Sequence, residues 1–166
     1  MQIAVISDTH NDIFHLEKAI QEIQRREISH LVHCGDVTLS QTLRPCKGLR
    51  LFLAYGNGDS DERAIAEELS LLNPENRSGL TLDFFIERQR FYVAHGDSPK
   101  LIQSALTSGL YDWVLQGHTH RFKNEIIGKS HWVNPGALGG KLTETGSFVV
   151  LDTVKMSVER VFTEER

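Results

Sequence analysis

The chain is poor in cysteine and proline and carries no excess of positive charge. Its 166 residues include 2 cysteines and 4 prolines. Cys34 and Cys46 are too few and too loosely spaced for a disulfide framework or a zinc knuckle. Cys34 closes an apolar run and reads as a buried core thiol. Such cysteine usage describes a reduced, cytoplasmic protein. A net charge of −4 and a pI near 6.0 leave no electrostatic footprint for nucleic acid or for an anionic membrane. No apolar run approaches the roughly 18 residues of a membrane span. Met1-Gln2-Ile3 enters a strand pattern at once, without the basic start and apolar stretch of a signal peptide. Linkers, repeats and low-complexity segments are also lacking, so residues 1–166 read as one domain, long enough to bury a core.

What the chain does have is a series of short apolar runs. Ile3-Ala4-Val5-Ile6, Leu31-Val32-His33-Cys34, Leu51-Phe52-Leu53-Ala54, Phe91-Tyr92-Val93-Ala94 and Trp113-Val114-Leu115 are compact, as strands buried on both faces are. Between them the period changes. Ile13, Leu16, Ile20 and Ile23 predict an amphipathic helix over 12–26, with Asn11 or Asp12 placed to cap it. A weak helical turn at 40–45 should break at Pro45. Ser60 is placed to open a helix that uses Ile65 and Leu69, and Ser98-Pro99 opens another that stops at Gly109. Residues 73–76 read as a loop. Leu80, Leu82, Phe84 and Ile86 alternate as in a strand with one wetter face, and 87–90 should turn back. Beyond residue 120 only short strands are expected, at 122–127, 131–133, 148–151 and 154–161. Asn134-Pro135-Gly136 and Gly139-Gly140 punctuate them.

Each of the five apolar runs ends in a side chain able to bind a metal. In order these are Asp8 with His10, then Asp36, Asn57, His95, and His118 with His120. Each has an ordinary reading: Asp8 could cap a helix, Gly35-Asp36 and Gly56-Asn57 could be turns, and His95 could be a core histidine. Together, at equivalent places after five strands, they point to one rim, because ligand sites in open α/β sheets lie outside the strands' carboxyl ends. His118 and His120, two residues apart in extended backbone, should face a common point. Gly35, Gly56, Gly96 and Gly117 adjoin four of the clusters and suit sharp exits. A nitrogen and oxygen donor set without thiolate suits Mn²⁺, Fe, Zn²⁺, Ni²⁺ or Co²⁺. Seven ligands exceed one octahedron once water and substrate are added, and fit two metals sharing a carboxylate. Two metals about 3.5–4 Å apart are a device for in-line displacement at phosphorus, with a hydroxide between them as nucleophile.

Asp-x-His, Gly-Asp, Gly-Asn, His-Gly and Gly-His-Thr-His, in that order, resemble the calcineurin-like metallophosphoesterase superfamily. The short length and the Asn134-Pro135-Gly136 loop are most similar to its small single-domain bacterial and archaeal phosphodiesterase branch. The resemblance implies an α/β fold, a four-layer αββα sandwich of two mixed sheets flanked by helices. It implies two divalent metal ions, Mn²⁺ foremost, and a small phosphodiester substrate cleaved by a metal-bridging hydroxide. By matching position, Asp8, His10, Asp36 and His120 would hold one metal. Asp36, Asn57, His95 and His118 would hold the other, with Asp36 as the bridge. Asn57 would bind through its oxygen and leave its NH₂ for a phosphoryl oxygen, so Asp36 and Asn57 are the candidate catalytic pair. Asn134 and His131 are placed near these ligands.

The chain also departs from the family. Where relatives carry a histidine or cysteine after the asparagine, this one has Gly58, so no side chain there can protonate a leaving group. Asp59 is a candidate substitute, but its place suits a helix cap better. Asp97 stands where a histidine is frequent and is not needed as a ligand. Two alternatives stay open: a non-catalytic scaffold resembling the retromer subunit of this fold, or a phosphomonoesterase. The scaffold is disfavoured because no ligand position is lost. Nucleases and phosphoprotein phosphatases are disfavoured by the missing acid, the acidic pI and the lack of extra segments. Phe84 and Phe85 leave room for a homo-oligomer contact.

Overall fold

The computed structural model describes residues 1–140 and 144–164. In chain order the elements are β1 (Gln2–Ile6), α1 (Ile13–Arg25), β2 (His30–His33), a 3-10 helix (Ser40–Cys46), β3 (Arg50–Ala54), α2 (Glu62–Leu72), β4 (Arg77–Gly79), β5 (Thr81–Ile86), β6 (Gln89–Ala94), α3 (Pro99–Ser108), β7 (Trp113–Leu115), β8 (Phe122–Ile127), β9 (Ser130–Pro135), β10 (Ser147–Asp152) and β11 (Ser157–Phe162). Among the described residues no helix is long and apolar enough to cross a membrane.

The strands form two mixed sheets. One runs in the order β11-β10-β1-β2-β3-β4, the other β5-β6-β7-β9-β8. In the first, β1, β2, β3 and β4 are parallel and β10 returns antiparallel beside β1. In the second, β6, β7 and β9 are parallel and the two outer strands antiparallel. Successive side chains on a strand point to opposite faces, and that alternation divides the apolar runs between layers. Ala4, Ile6, Leu31, Leu51 and Leu53 pack under α1 and α2, against Leu16, Ile20, Ile23, Ile65 and Leu69. Their neighbours Ile3, Val5, Val32 and Phe52 turn the other way, to meet Phe91, Val93, Trp113 and Leu115 of the second sheet. On the far side of that sheet, Tyr92, Ala94 and Val114 pack on Ile102, Ala105 and Leu106 of α3. The result is the four-layer αββα sandwich. A row of near-parallel rings crosses its middle: Phe52 on Phe84 at 4.1 Å, Phe84 on Phe91 at 5.5 Å, and Phe91 on Trp113 at 6.1 Å.

Several boundaries differ from the sequence pattern, each for a local reason. Ser60 does not cap α2. Its amide is still held by the Gly58 carbonyl at 3.2 Å, and Asp61 caps instead, accepting from the Ala64 N–H at 3.0 Å. The 3-10 helix runs through Pro45 to Cys46 rather than breaking there. The short edge strand β4 has no apolar pattern and exists because β3 offers it a free edge. Gln89 and Arg90 already pair within β6, so the turn after β5 is shorter than expected. Leu80 is 65% exposed and precedes its strand. The last strand begins at Ser157, later than expected, because Asp152 accepts from the amides of Val154 and Lys155 and curls that stretch into a turn.

Candidate metal centre

All five candidate runs end at one rim. Strands β1, β2 and β3 of the first sheet and β6 and β7 of the second point their carboxyl ends the same way within each sheet. Just past those ends the backbone leaves ordinary geometry. Asp8 (φ 52°), His10 (46°), Asp36 (60°), His118 (66°) and His120 (57°) all lie in the left-handed region. Non-glycine residues seldom go there, and Asp, Asn and His do so most readily. Such conformations persist only where surroundings over-determine them, and they cluster at functional sites. His118 and His120 therefore do not converge through extended backbone, as their spacing implied. A left-handed loop beyond β7 parts them, sending His118 to His95 and His120 to Asp8 and His10. Gly117 permits it: a Cβ there would run into Ser7 and Asp8.

The side chains fall into two touching groups. His120 Nε2 is 3.2 Å from Asp8 Oδ1 and 3.3 Å from His10 Nε2. Asp36 Oδ2 is 3.6 Å from His10 Nε2 on one side and 3.5 Å from His95 Nε2 on the other. His118 joins through Nδ1, 3.2 Å from His95 Nε2. Asn57 stands exposed at the edge of the cluster, between Gly56 and Gly58, whose amides bond to Asp59 and Asp36. Two triads have donor atoms close enough to share an ion: Asp8, His10 and His120, and Asp8, Asp36 and His95. Asp8 Oδ1 is buried without a hydrogen-bond partner. A buried orphan carboxylate oxygen beside imidazole nitrogens that approach one another is costly unless a cation fills the gap. The residues thus fit a metal centre on their own geometry.

The electrostatics agree. Burial raises the Asp8 carboxyl above its ordinary range, against the attraction of His95 and His120. Burial would raise Asp36 too, but the hydrogen bonds from His95 and the Gly58 amide outweigh it and hold the carboxyl at about 2. His95 is buried, which alone would favour its neutral form. Its bonds to Asp36 and to the Cys34 carbonyl win and lift it to about 9.

The comparisons with known proteins can be set on this geometry. The profile of the calcineurin-like phosphoesterase superfamily domain matches residues 1–156. The chain belongs to the calcineurin-like phosphoesterase superfamily. A phosphodiesterase of Methanocaldococcus jannaschii is 30% identical over 166 residues, 99% of this chain and all of that protein. The solved structure of an archaeal phosphodiesterase superposes with a TM-score of 0.93 at 30% identity, over 98% of this chain and 99% of that one. Zinc-bound Vps29 of Entamoeba histolytica shares the fold, with a TM-score of 0.64 at 18% identity over 99% of this chain and 100% of that one. A calcineurin-like phosphoesterase uses divalent metal ions, and the Asp and His groups are the candidate ligands here.

Around the candidate metal centre stand braces, only some of them legible in the sequence. Asp59 neither caps α2 nor reaches out as an acid. It is 4% exposed, and its two oxygens accept from the amides of Asp36 (2.9 Å), Gly56 (2.8 Å) and Thr38 (2.7 Å). One carboxylate thus ties the Asp36 loop to the Asn57 loop. Asn134, fully buried, donates to the Gly117 carbonyl and to Thr119 Oγ1, and so holds the histidine loop from below. His131 does not share that duty. It pairs with Trp113 at the opposite end of β7 and lies tilted against its ring, 4.6 Å between centroids. His33 is a brace the sequence reading passed over. It accepts from the Gly35 amide at Nδ1, so its Nε2–H donates to Thr9 Oγ1 at 2.8 Å, between Asp8 and His10. Burial keeps it neutral, with its pKa lowered to about 4. A histidine inside an apolar run was the available signal.

Proposed function

We propose that this protein is a phosphodiesterase that works with two divalent metal ions, Mn²⁺ foremost, on a small phosphodiester. The observation that carries the reading is the place of Asp36. One of its oxygens lies 3.6 Å from His10 Nε2 and 3.5 Å from His95 Nε2, so it reaches both donor groups, as does Asp8, the member common to both triads. Asp8, His10, His120 and Asp36 would hold one ion, and Asp36, Asn57, His95 and His118 the other. When bound, such ions lower the pKa of water and absorb charge building on phosphoryl oxygens. The chain's own residues do the remaining work. Asp36, kept ionised down to about pH 2, stays acceptor-only across the working range. Asn57, exposed beside it, offers an amide to a phosphoryl oxygen. The Gly58 amide is committed to Asp36 at 2.7 Å and cannot assist departure of the leaving group. Asp59 is committed to three amides. Without a positioned acid, esters with poor leaving groups should lag by about 10²–10⁴-fold.

The diester preference is supported by the 30% identical relative named a phosphodiesterase. The free, buried Cys34 and Cys46 support a reducing, cytoplasmic setting, and residues 1–166 as one domain are part of the same proposal. The test is hydrolysis of an aryl phosphodiester beside its monoester, after chelation and then Mn²⁺ add-back. Diester cleavage that returns with metal is the expected result. A preference for the monoester would make the protein a phosphomonoesterase. Failure to bind metal would leave a scaffold of this fold.

A further inference from the structure

A cavity of about 210 Å³ opens between α3 and the second sheet, lined by Gly96, Pro99, Ile102, Gln103, Gln116, Thr119 and Trp132. Its connection to the site is covalent: Gly96 follows His95, and Thr119 lies between His118 and His120. Pro99 and Ile102 of α3 form an apolar wall, and Trp132 of β9 contributes an indole. That indole is held on two sides. Its N–H donates to Gln116 Oε1 at 3.0 Å, and the Lys123 ammonium sits 3.8 Å from the ring centroid. Indole nitrogen can only donate, so the Gln116 atom facing it must be the oxygen. The Gln116 NH₂ is thereby fixed as the group left over. It donates to no protein group among the described residues and is open to the cavity that Gln116 lines.

We infer that this cavity binds one organic substituent of the phosphodiester, a single aromatic or heteroaromatic ring that presents a hydrogen-bond acceptor to the Gln116 NH₂. This rests on the phosphodiesterase reading above. Size decides the class: 210 Å³ falls below the roughly 300 Å³ at which pockets take drug-sized molecules, and suits one ring. Chemistry agrees, since an apolar wall, an aromatic surface and one donor open to the cavity recognise a flat group with a polar edge. A rigid, pre-set indole also reduces the ordering cost of binding.

The test uses product-like monoesters in the Mn²⁺-loaded protein. Phenyl phosphate and methyl phosphate carry the same charge and differ in the ring. Phenyl phosphate should inhibit diester hydrolysis at a concentration about tenfold lower, within the range that ring-on-aromatic stacking supplies. Uridine 5′-monophosphate, whose base offers carbonyl acceptors, should match or exceed it. The advantage should vanish in Trp132→Leu, and the gain of uridine 5′-monophosphate over phenyl phosphate should shrink in Gln116→Leu. A second readout does not need turnover. Trp113 is fully buried and bonded to Gln89, so change in indole emission on adding phenyl phosphate should come from Trp132. Equal potency of the phenyl and methyl esters, or an advantage that survives Trp132→Leu, would overturn the inference while leaving metal-dependent diester cleavage intact. Loss of diester cleavage in the native protein would instead strike the phosphodiesterase reading, and the emission titration would still decide whether the cavity takes a ring.

Discussion

His95 shows how much one residue's surroundings decide. Its Nδ1–H donates to the Cys34 carbonyl at 2.7 Å, which turns Nε2 toward Asp36 and His118. In the metal-free protein the pKa is lifted to about 9, and as a metal ligand His95 would have to be neutral. Metal binding near pH 7.5 should therefore release about one proton from this site. Titration calorimetry in buffers of different ionisation enthalpy measures that number, and it should fall toward zero in His95→Gln. At the same scale, Asp36→Asn and His118→Ala should each lower metal-dependent diester hydrolysis by at least about 10²-fold, because each would remove a ligand from an ion that absorbs developing charge. Circular dichroism should stay unchanged, because both side chains sit at the rim and outside the three apolar cores. Full activity in either variant would remove it from the centre.

At the scale of elements, the loops after β2 and β3 are held to each other more firmly than to solvent. Asp59 takes three buried or half-buried amides, and removing an acceptor from buried donors costs about 1–3 kcal/mol for each group left unsatisfied. Asp59→Ala should cost about 3 kcal/mol, read as a lower urea midpoint, and should weaken metal binding as well. Asp61→Ala, which removes only the cap of α2, should cost about 1 kcal/mol and leave metal affinity unchanged. The contrast matters because sequence spacing assigns the helix cap to the wrong residue. Two acidic residues stand two positions apart in a polar stretch, and no local pattern tells which one faces inward. The buried loop amides that claim Asp59 belong to a strand exit more than twenty residues earlier.

For the molecule as a whole, the centre joins two sheets, so its state should register in global stability. The sign with pH follows from the shifts. His95, raised to about 9, contributes stability that is complete below its ordinary value near 6.5 and is lost as pH climbs through 9. Asp36, lowered to about 2, contributes stability that is present above its ordinary 3.8 and is lost as pH falls through 2. The chelated protein should accordingly lose thermal stability between about pH 6.5 and 9, and again as pH falls below about 6.5, where His33, lowered to about 4, resists protonation before Asp36 gives way. Added Mn²⁺ at about 100 times its Kd should stabilise by about 2.7 kcal/mol, about 5–10 °C in Tm for a chain of this size. Asp36→Asn should lose most of that shift. Scanning calorimetry at a series of pH values, with and without metal, checks both.

The order of apolar runs and the polar residue closing each were legible from the chain, because a two-residue period and a short buried run are local properties. So were the resemblance that named the superfamily and the helices at 12–26 and from Ser98 to Gly109. Tertiary structure alone decided the rest. It placed three of the runs in one sheet and two in the other, a matter of pairing that no single strand encodes. It set Asp8, His10, Asp36, His118 and His120 in left-handed backbone, which contacts from other loops enforce against local preference. It sent His131 to the wrong end of its strand for the site, and it recruited His33 and Asp59 as braces. Identity of the candidate donors is written along the sequence. Their convergence depends on partners distant in it, because each carboxylate and imidazole is aimed by amides and carbonyls from another strand's exit.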